Sequence, residues 1–223
     1  MNGKLFAKAA AALVVGVLVL GGILFLSAGG FSYWNGWLFL GLLFVPMTVM
    51  GIVMLFRSPN LLEKRLKNKE SRSEQKQVIR GSGLMFLLGF ILAGLDHRFG
   101  WTRLPLWLIA AASVLLLLAY GLYAEVLRGN AFLSRTVEIQ ENQTVVDTGL
   151  YAIVRHPMYA ATVVLFLTFP LVLGSLPAFA VFLAYPFLLV KRIRSEEALL
   201  REELDGYADY MTRVRWRMLP FVW

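Results

Sequence analysis

The chain contains no cysteine, only two histidines and few charges. Without cysteine there is no disulfide, no thiolate metal ligand and no cysteine nucleophile. Charged residues make up 16% of the 223 positions and hydrophobic ones 58%, whereas soluble domains carry about 25% charged residues. With a mean hydropathy of +0.66, this is the composition of an integral membrane protein. No long Pro-, Gly- or Ser-rich linker, low-complexity tract or internal repeat divides the sequence. A single helical bundle is therefore expected rather than separable units.

What the sequence has in abundance is long apolar runs. Crossing about 30 Å of hydrocarbon takes roughly 20 residues at about 1.5 Å each. Leu5–Leu26 and Trp34–Phe56 meet that length, the second entered through the interfacial aromatics Tyr33, Trp34 and Trp37. Gly81–Leu95 is shorter and glycine-rich, which predicts close packing on neighbours through Gly83, Gly89 and Gly94, within the bundle or between subunits. Leu104–Leu127 is the fourth run. The stretch Pro157–Val190 is too long for one span, and Gly174-Ser-Leu-Pro177 supplies a turn, so it predicts a tight hairpin kinked at Pro170 and Pro186. One long tilted helix is the competing reading.

The first run follows Lys4 and Lys8 and precedes Ser-Ala-Gly-Gly, as a secretory leader would, but its apolar stretch exceeds such a core and it reads as a retained helix. Six crossings, counting the hairpin as two, put the N-terminus, the 57–80 loop, the 128–156 segment and the 191–223 tail on one side. These hold 20 of the 22 Lys and Arg residues, leaving Arg98 and Arg103 opposite. Basic residues accumulate on the cytoplasmic side, so both termini are expected there, in an inner or plasma membrane. The net charge of +8 then belongs to a collar on the anionic leaflet and not to a nucleic-acid surface. Within it, Arg57–Arg80 has leucines spaced among lysines and predicts an interfacial helix, with a solvated basic loop as the alternative.

Polarity returns between Gly129 and Tyr159. Thr136–Gly149 alternates β-branched and polar residues, which predicts an extended, partly ordered loop. In Arg155-His156-Pro157 the residue before proline is pushed to extended geometry while Pro157 suits a first helical turn. His156 thus falls at a helix N-terminus, where an anionic ligand group is favoured and Tyr159 adds a hydroxyl. Capping or interfacial anchoring would use the same residues. Beyond the hairpin, Arg192 and Glu196 lie four apart on one helix face. The hairpin brings Arg155, His156, Tyr159, Arg192, Glu196 and Glu197 to one mouth, although Arg192 and Glu196 alone would read as an ordinary surface ion pair. Ionisable groups at a membrane-embedded mouth are functional candidates. His97, beside Asp96 and Arg98, falls at the opposite interface.

The ordered pattern Gly149-x-Tyr-x-x-x-Arg-His-Pro-x-Tyr159, a hairpin, Arg192-x-x-x-Glu-Glu-x-x-Leu200, Tyr207-Ala-Asp-Tyr210 and a Val-x-x-x-x-x-Pro ending at Pro220 resembles the isoprenylcysteine carboxyl methyltransferase family, whose wider group includes phospholipid N-methyltransferases. The resemblance covers roughly residues 128–223. It implies an all-α integral membrane protein in which 1–127 are N-terminal transmembrane helices with the basic loop, and 128–223 a catalytic region of cofactor loop, hairpin and C-terminal helix. It implies S-adenosylmethionine as methyl donor, bound on the cytoplasmic side. Tyr151, His156, Pro157, Met158 and Tyr159 would line that site, and Glu196 and Glu197 would receive the donor's amino group. Gln140, Thr144, Val145 and Val146 would cover the adenosine. Arg192 would face the acceptor, with Arg155 and Tyr159 beside the reaction.

The residue chemistry is compatible with this implication. Glutamates suit an ammonium, and an arginine or helix N-terminus suits a carboxylate. Methyl transfer is an in-line displacement served by positioning and exclusion of water. A carboxylate acceptor is already ionised near neutrality, so no general base, Ser/His/Asp arrangement or metal site is required. A lipid-like or lipidated acceptor would reach the site through the bilayer, and a monomer suffices. Two other classes compete: a membrane reductase of related fold using a nicotinamide cofactor, against which the Glu-Glu pair speaks, and a non-enzymatic membrane scaffold or sensor.

Overall fold

The structure, a computed structural model, describes residues 3–66, 73–133 and 139–223. Among them every regular element is helical. In chain order they are α1 (Gly3–Ala28), α2 (Trp34–Arg57), α3 (Pro59–Leu66), α4 (Ser73–Phe99), α5 (Leu106–Gly129), a 3-10 turn (Gly149–Ala152), α6 (Pro157–Val172), α7 (Leu176–Phe182), α8 (Ala184–Glu203) and α9 (Tyr207–Arg213). Five segments are long and apolar enough to cross a bilayer: α1, α2, Lys76–Phe99, α5 and the joined α7–α8 stretch. The 16-residue α6 is apolar but shorter. Leu26, Phe56, Leu118 and Phe187 are exposed, which in water would be an aggregation liability and in lipid is the normal outer face.

The expected spans hold, with boundaries moved for identifiable reasons. Hydropathy marks only Gly81–Leu95 of α4, yet the helix begins at Ser73 and ends at Phe99, because backbone hydrogen bonding continues past the apolar window. α5 starts at Leu106, after Pro105 in extended geometry (φ −67°, ψ 147°). The interfacial helix expected over Arg57–Arg80 divides. Only Pro59–Leu66 forms a separate helix, residues 67–72 lie outside the described residues, and from Ser73 the chain is already α4. In the same way, positions 134–138 of the polar loop lie outside the described residues, and 139–148 is irregular, with a turn closed from Gln143 N to Gln140 O at 3.1 Å.

The hairpin forms, but its second arm is broken. Pro186 has no N–H for the Phe182 carbonyl, so α7 stops at Phe182 and α8 restarts at Ala184. Between the arms Gly174 adopts φ +77°, a left-handed position glycine takes without strain. Ser175 then caps α7 by accepting from Ala178 N at 3.2 Å. The last carbonyls of α6 are satisfied from α2's N-terminal end: the Tyr33 hydroxyl donates to Leu173 O at 2.6 Å and Asn35 Nδ2 to Val172 O at 2.8 Å.

α5 packs along α6, and α1 along α4, which also meets α7 and α8. The centre is aromatic: Phe90 and Phe169 each contact both Phe39 and Phe182 as well as one another. Two predicted glycines explain the close approach. A Cβ on Gly94 would lie 1.9 Å from Ser27 Oγ, and one on Gly89 2.4 Å from the Phe182 ring. Both serve contacts within the bundle, whereas Gly83 meets nothing within 4 Å.

Candidate functional site

The polar end of the bundle is organised by one carboxylate. Glu197, on α8, is buried, and its Oε1 accepts from Arg155 Nε at 2.7 Å and from His156 Nε2 at 3.2 Å, while Oε2 accepts from Arg217 Nε at 2.7 Å. Arg155 Nη1 also donates to Val214 O at 2.7 Å and Arg215 O at 2.9 Å. The backbone repeats the connection, since Arg155 N and His156 N donate to Trp216 O and Arg217 O at 2.9 and 2.7 Å. The Arg-His-Pro turn is thereby stitched both to α8 and to the C-terminal strap that follows α9, residues 214–223. A carboxylate held between two guanidiniums is an acceptor only, so His156 Nε2 carries a proton.

A second arrangement sits beside it. The buried Tyr159 hydroxyl donates to Glu196 Oε2 at 2.5 Å and accepts from Arg192 Nε at 2.8 Å. Tyr159 is in the first turn of α6, while Arg192 and Glu196 share a face of α8. The expected i,i+4 pair is thus bridged by a phenol from the opposite arm, which distinguishes it from a surface ion pair.

These groups open into a cleft of about 860 Å³, a figure that includes solvent at its mouth. Of the residues expected there, Tyr151, Arg155, His156, Met158, Tyr159, Arg192 and Glu196 line it, and Thr144, Val145 and Val146 reach it from the loop. Three do not. Pro157 is turned into the bundle, and Glu197 is taken up by Arg155, His156 and Arg217. Gln140 instead pairs with Lys64 on α3 and with Phe132 O, fastening the loop from outside. The cleft also takes wall residues that the sequence reading assigned no role: Asn130, Gln143, Leu199, Leu204, Tyr207 and Tyr210. The Tyr207-Ala-Asp-Tyr210 motif was the available signal for the last two.

α9 forms the outer wall. Ile139 and Val145 of the loop pack on Leu204, Tyr207, Tyr210 and Val214, and the Tyr210 hydroxyl donates to Tyr151 O at 2.7 Å. Burial pushes the Tyr151 hydroxyl up to about 12, partly offset by its hydrogen bond with Asn130. Burial likewise raises Tyr210 above its ordinary value. The tyrosines of this wall are therefore neutral across the physiological range.

The bundle is apolar, and its polar cleft lies where α6 and α8 meet the loop. Residues 107–202 match the family described as the isoprenylcysteine carboxyl methyltransferase (ICMT) family, a stretch that takes in α5, the loop, the Arg-His-Pro turn and nearly all of α8. The match supports assignment to that family, as the motif resemblance implied, while α9 and the strap lie beyond it. Among curated proteins none matches the sequence. A solved structure of a eukaryotic intramembrane Ras methyltransferase, ICMT, is similar at a TM-score of 0.49 and 18% identity, over 85% of this chain and 74% of that one.

Proposed function

We propose that the cleft binds S-adenosylmethionine and that the protein methylates the carboxylate of an isoprenylcysteine-type acceptor whose hydrocarbon tail lies in the bilayer. The observation that carries this reading is the Tyr159 bridge. It holds a carboxylate suited to the donor's ammonium and a guanidinium suited to an acceptor carboxylate on either side of one hydroxyl.

The residues present fit the donor. The cleft lining combines Glu196 with aromatic and aliphatic walls. S-adenosylmethionine supplies a methyl group activated on a sulfonium, with a neutral thioether as leaving group. In this reading Glu196 holds the ammonium, Thr144, Val145 and Val146 cover the adenosine, and Tyr151, His156 and Met158 line the donor. Arg192 orients the acceptor carboxylate, which is ionised near neutrality and needs no base. The Arg155 guanidinium is committed to Glu197 and the strap carbonyls, so its part is to hold the turn beside the reaction. Leu199 and Val145 exclude water.

The same reading sets the cleft and both termini on the cytoplasmic face of an inner or plasma membrane, in agreement with the distribution of basic residues, and has the protein act as a monomer. The test is calorimetric titration of the detergent-purified protein with S-adenosylmethionine and its demethylated product, followed by methyl transfer to a farnesylated cysteine. Glu196→Gln is expected to lose donor binding, and Arg192→Ala to lose turnover while still binding donor. Normal transfer in both variants would overturn the assignments. Transfer to a phospholipid amine instead of the carboxylate would overturn the acceptor.

A further inference from the structure

The strap that follows α9 folds back onto the bundle. Leu204, Tyr207, Tyr210 and Val214 form a cluster of their own with the loop, but Met218 belongs to the core of the bundle and Trp223 packs against that core. His156 N donates to Arg217 O at 2.7 Å, which sets the strap beside the first turn of α6, where that apolar helix begins. The strap therefore lies where the bundle passes from its polar end into the bilayer.

Its outer side is apolar. Phe221 is 86% exposed, more than any other large hydrophobic among the described residues, and Leu219 and Val222 are exposed with it. Phe221 also has φ +66°, a left-handed backbone that a bulky residue adopts only under constraint. The constraint is a closed loop. Arg217 N, Met218 N and Leu219 N donate to Trp223 O at 2.9, 3.1 and 3.3 Å, while Val222 N and Trp223 N donate to Leu219 O at 3.2 and 3.1 Å. The Arg217 guanidinium lies over the Trp223 ring, 5.1 Å from its centroid, and the Trp216 and Phe221 rings meet at 5.5 Å.

Two features name what covers that side. Pro220 has no N–H, and most of the loop's other backbone donors are paired within it. Irregular backbone is excluded from the hydrocarbon itself, but with its donors paired this loop can enter the boundary between headgroups and acyl chains. Trp216 and Trp223 flank the apolar tip, and the exposed Arg215 precedes it, the aromatic and basic set of a membrane interface. We propose that residues 216–223 form a lipid-binding knob whose Leu219, Phe221 and Val222 side chains insert among the phospholipid acyl chains of the leaflet on the cleft side. Because the strap also holds the Arg-His-Pro turn through Glu197 and the backbone, the same lipid contact steadies the turn that opens α6. The inference does not depend on what the cleft binds.

The chain has no cysteine, so Leu219→Cys, Phe221→Cys and Val222→Cys each give a single thiol for an environment-sensitive fluorophore. Each labelled full-length variant is reconstituted in phosphatidylcholine–phosphatidylglycerol vesicles and quenched in turn by a nitroxide on the upper acyl chain and by aqueous iodide. Phe187→Cys on the lipid-facing side of α8 and Glu202→Cys, exposed at its polar end, are the references. The strap labels are expected to lose fluorescence to the nitroxide and to resist iodide, as the label at Phe187 does; three positions keep one misfolded variant from deciding the result. Iodide quenching equal to that at Glu202 overturns the proposal. Resistance to iodide without nitroxide quenching means that protein, such as a second copy of the chain, covers the knob, and overturns it as well. Loss of nitroxide quenching on adding a farnesylated cysteine would make the patch part of an acceptor site and would equally overturn it.

Discussion

Arg155 Nε and Glu197 Oε1 stand 2.7 Å apart, both side chains 5% exposed, across 42 positions of sequence. The pair links the turn that opens α6 to the face of α8, so the two arms of the hairpin are held at a fixed separation at their polar end. Removing one partner of a buried pair leaves the other charge uncompensated, at a cost of about 3–5 kcal/mol. Arg217 and His156 also converge on Glu197, so the larger penalty falls on the carboxylate. Glu197→Gln, which strands two guanidiniums, is expected to lower the thermal midpoint more than Arg155→Ala, as read by unfolding in detergent. An equal or smaller effect would show that Glu197 is not the organising group.

Tyr159→Phe keeps the ring in the core and deletes only the hydroxyl that bridges Glu196 and Arg192. A hydrogen bond to a charged group is worth about 1.5–3 kcal/mol, or a factor of about ten to a hundred. Methyl-transfer turnover is expected to fall within that range while the thermal midpoint moves little. An unaltered rate would remove the bridge from the mechanism.

Gly94→Ala places a methyl group against Ser27 and the Leu24 carbonyl. The backbone carbonyl does not yield, so α1 and α4 must separate, at about 1–3 kcal/mol. Gly83→Ala, with open space around it, is the matched control and is expected to be neutral or slightly stabilising. Equal behaviour of the two variants would contradict the close α1–α4 approach.

Alkaline pH is expected to loosen the outer wall of the cleft first. The Tyr151 hydroxyl is raised from its ordinary value of 10.0 to about 12, so its neutral form is favoured when folded. That stability is fully present below about pH 10 and is lost as pH rises through about 12. Unfolding midpoints measured across this window should decline, and Tyr151→Phe should flatten the decline. A variant with the wild-type slope would assign the loss to other groups.

The spans, the hairpin turn and the residues at its mouth were legible because each depends on local sequence. Apolar length sets a crossing, Gly174-Ser-Leu-Pro177 sets a turn, and Arg192 and Glu196 share a face through helical spacing alone. The break at Leu183 was half legible, since Pro186 announced a kink but not that α7 would end at Phe182. The extension of α4 to Ser73 was hidden because its first turns are polar. Glu196 and Glu197 looked alike in sequence. Their different surroundings follow from a rotation of about 100° between adjacent helix positions, which turns Glu196 to the cleft and Glu197 to Arg155 and Arg217.

By itself the sequence determined that this is a helical membrane protein with a basic face and a polar mouth, and its motifs pointed to a methyltransferase. Those properties are sums over composition or short spacings, and they survive any packing of the helices. Only the tertiary structure decided which carboxylate faces the cleft, that Tyr159 bridges Arg192 and Glu196, and that α9 walls the cleft while the strap holds the Arg-His-Pro turn. Each of these joins residues from separate elements, and the geometry that brings them together is set by how α5, α6 and α8 pack.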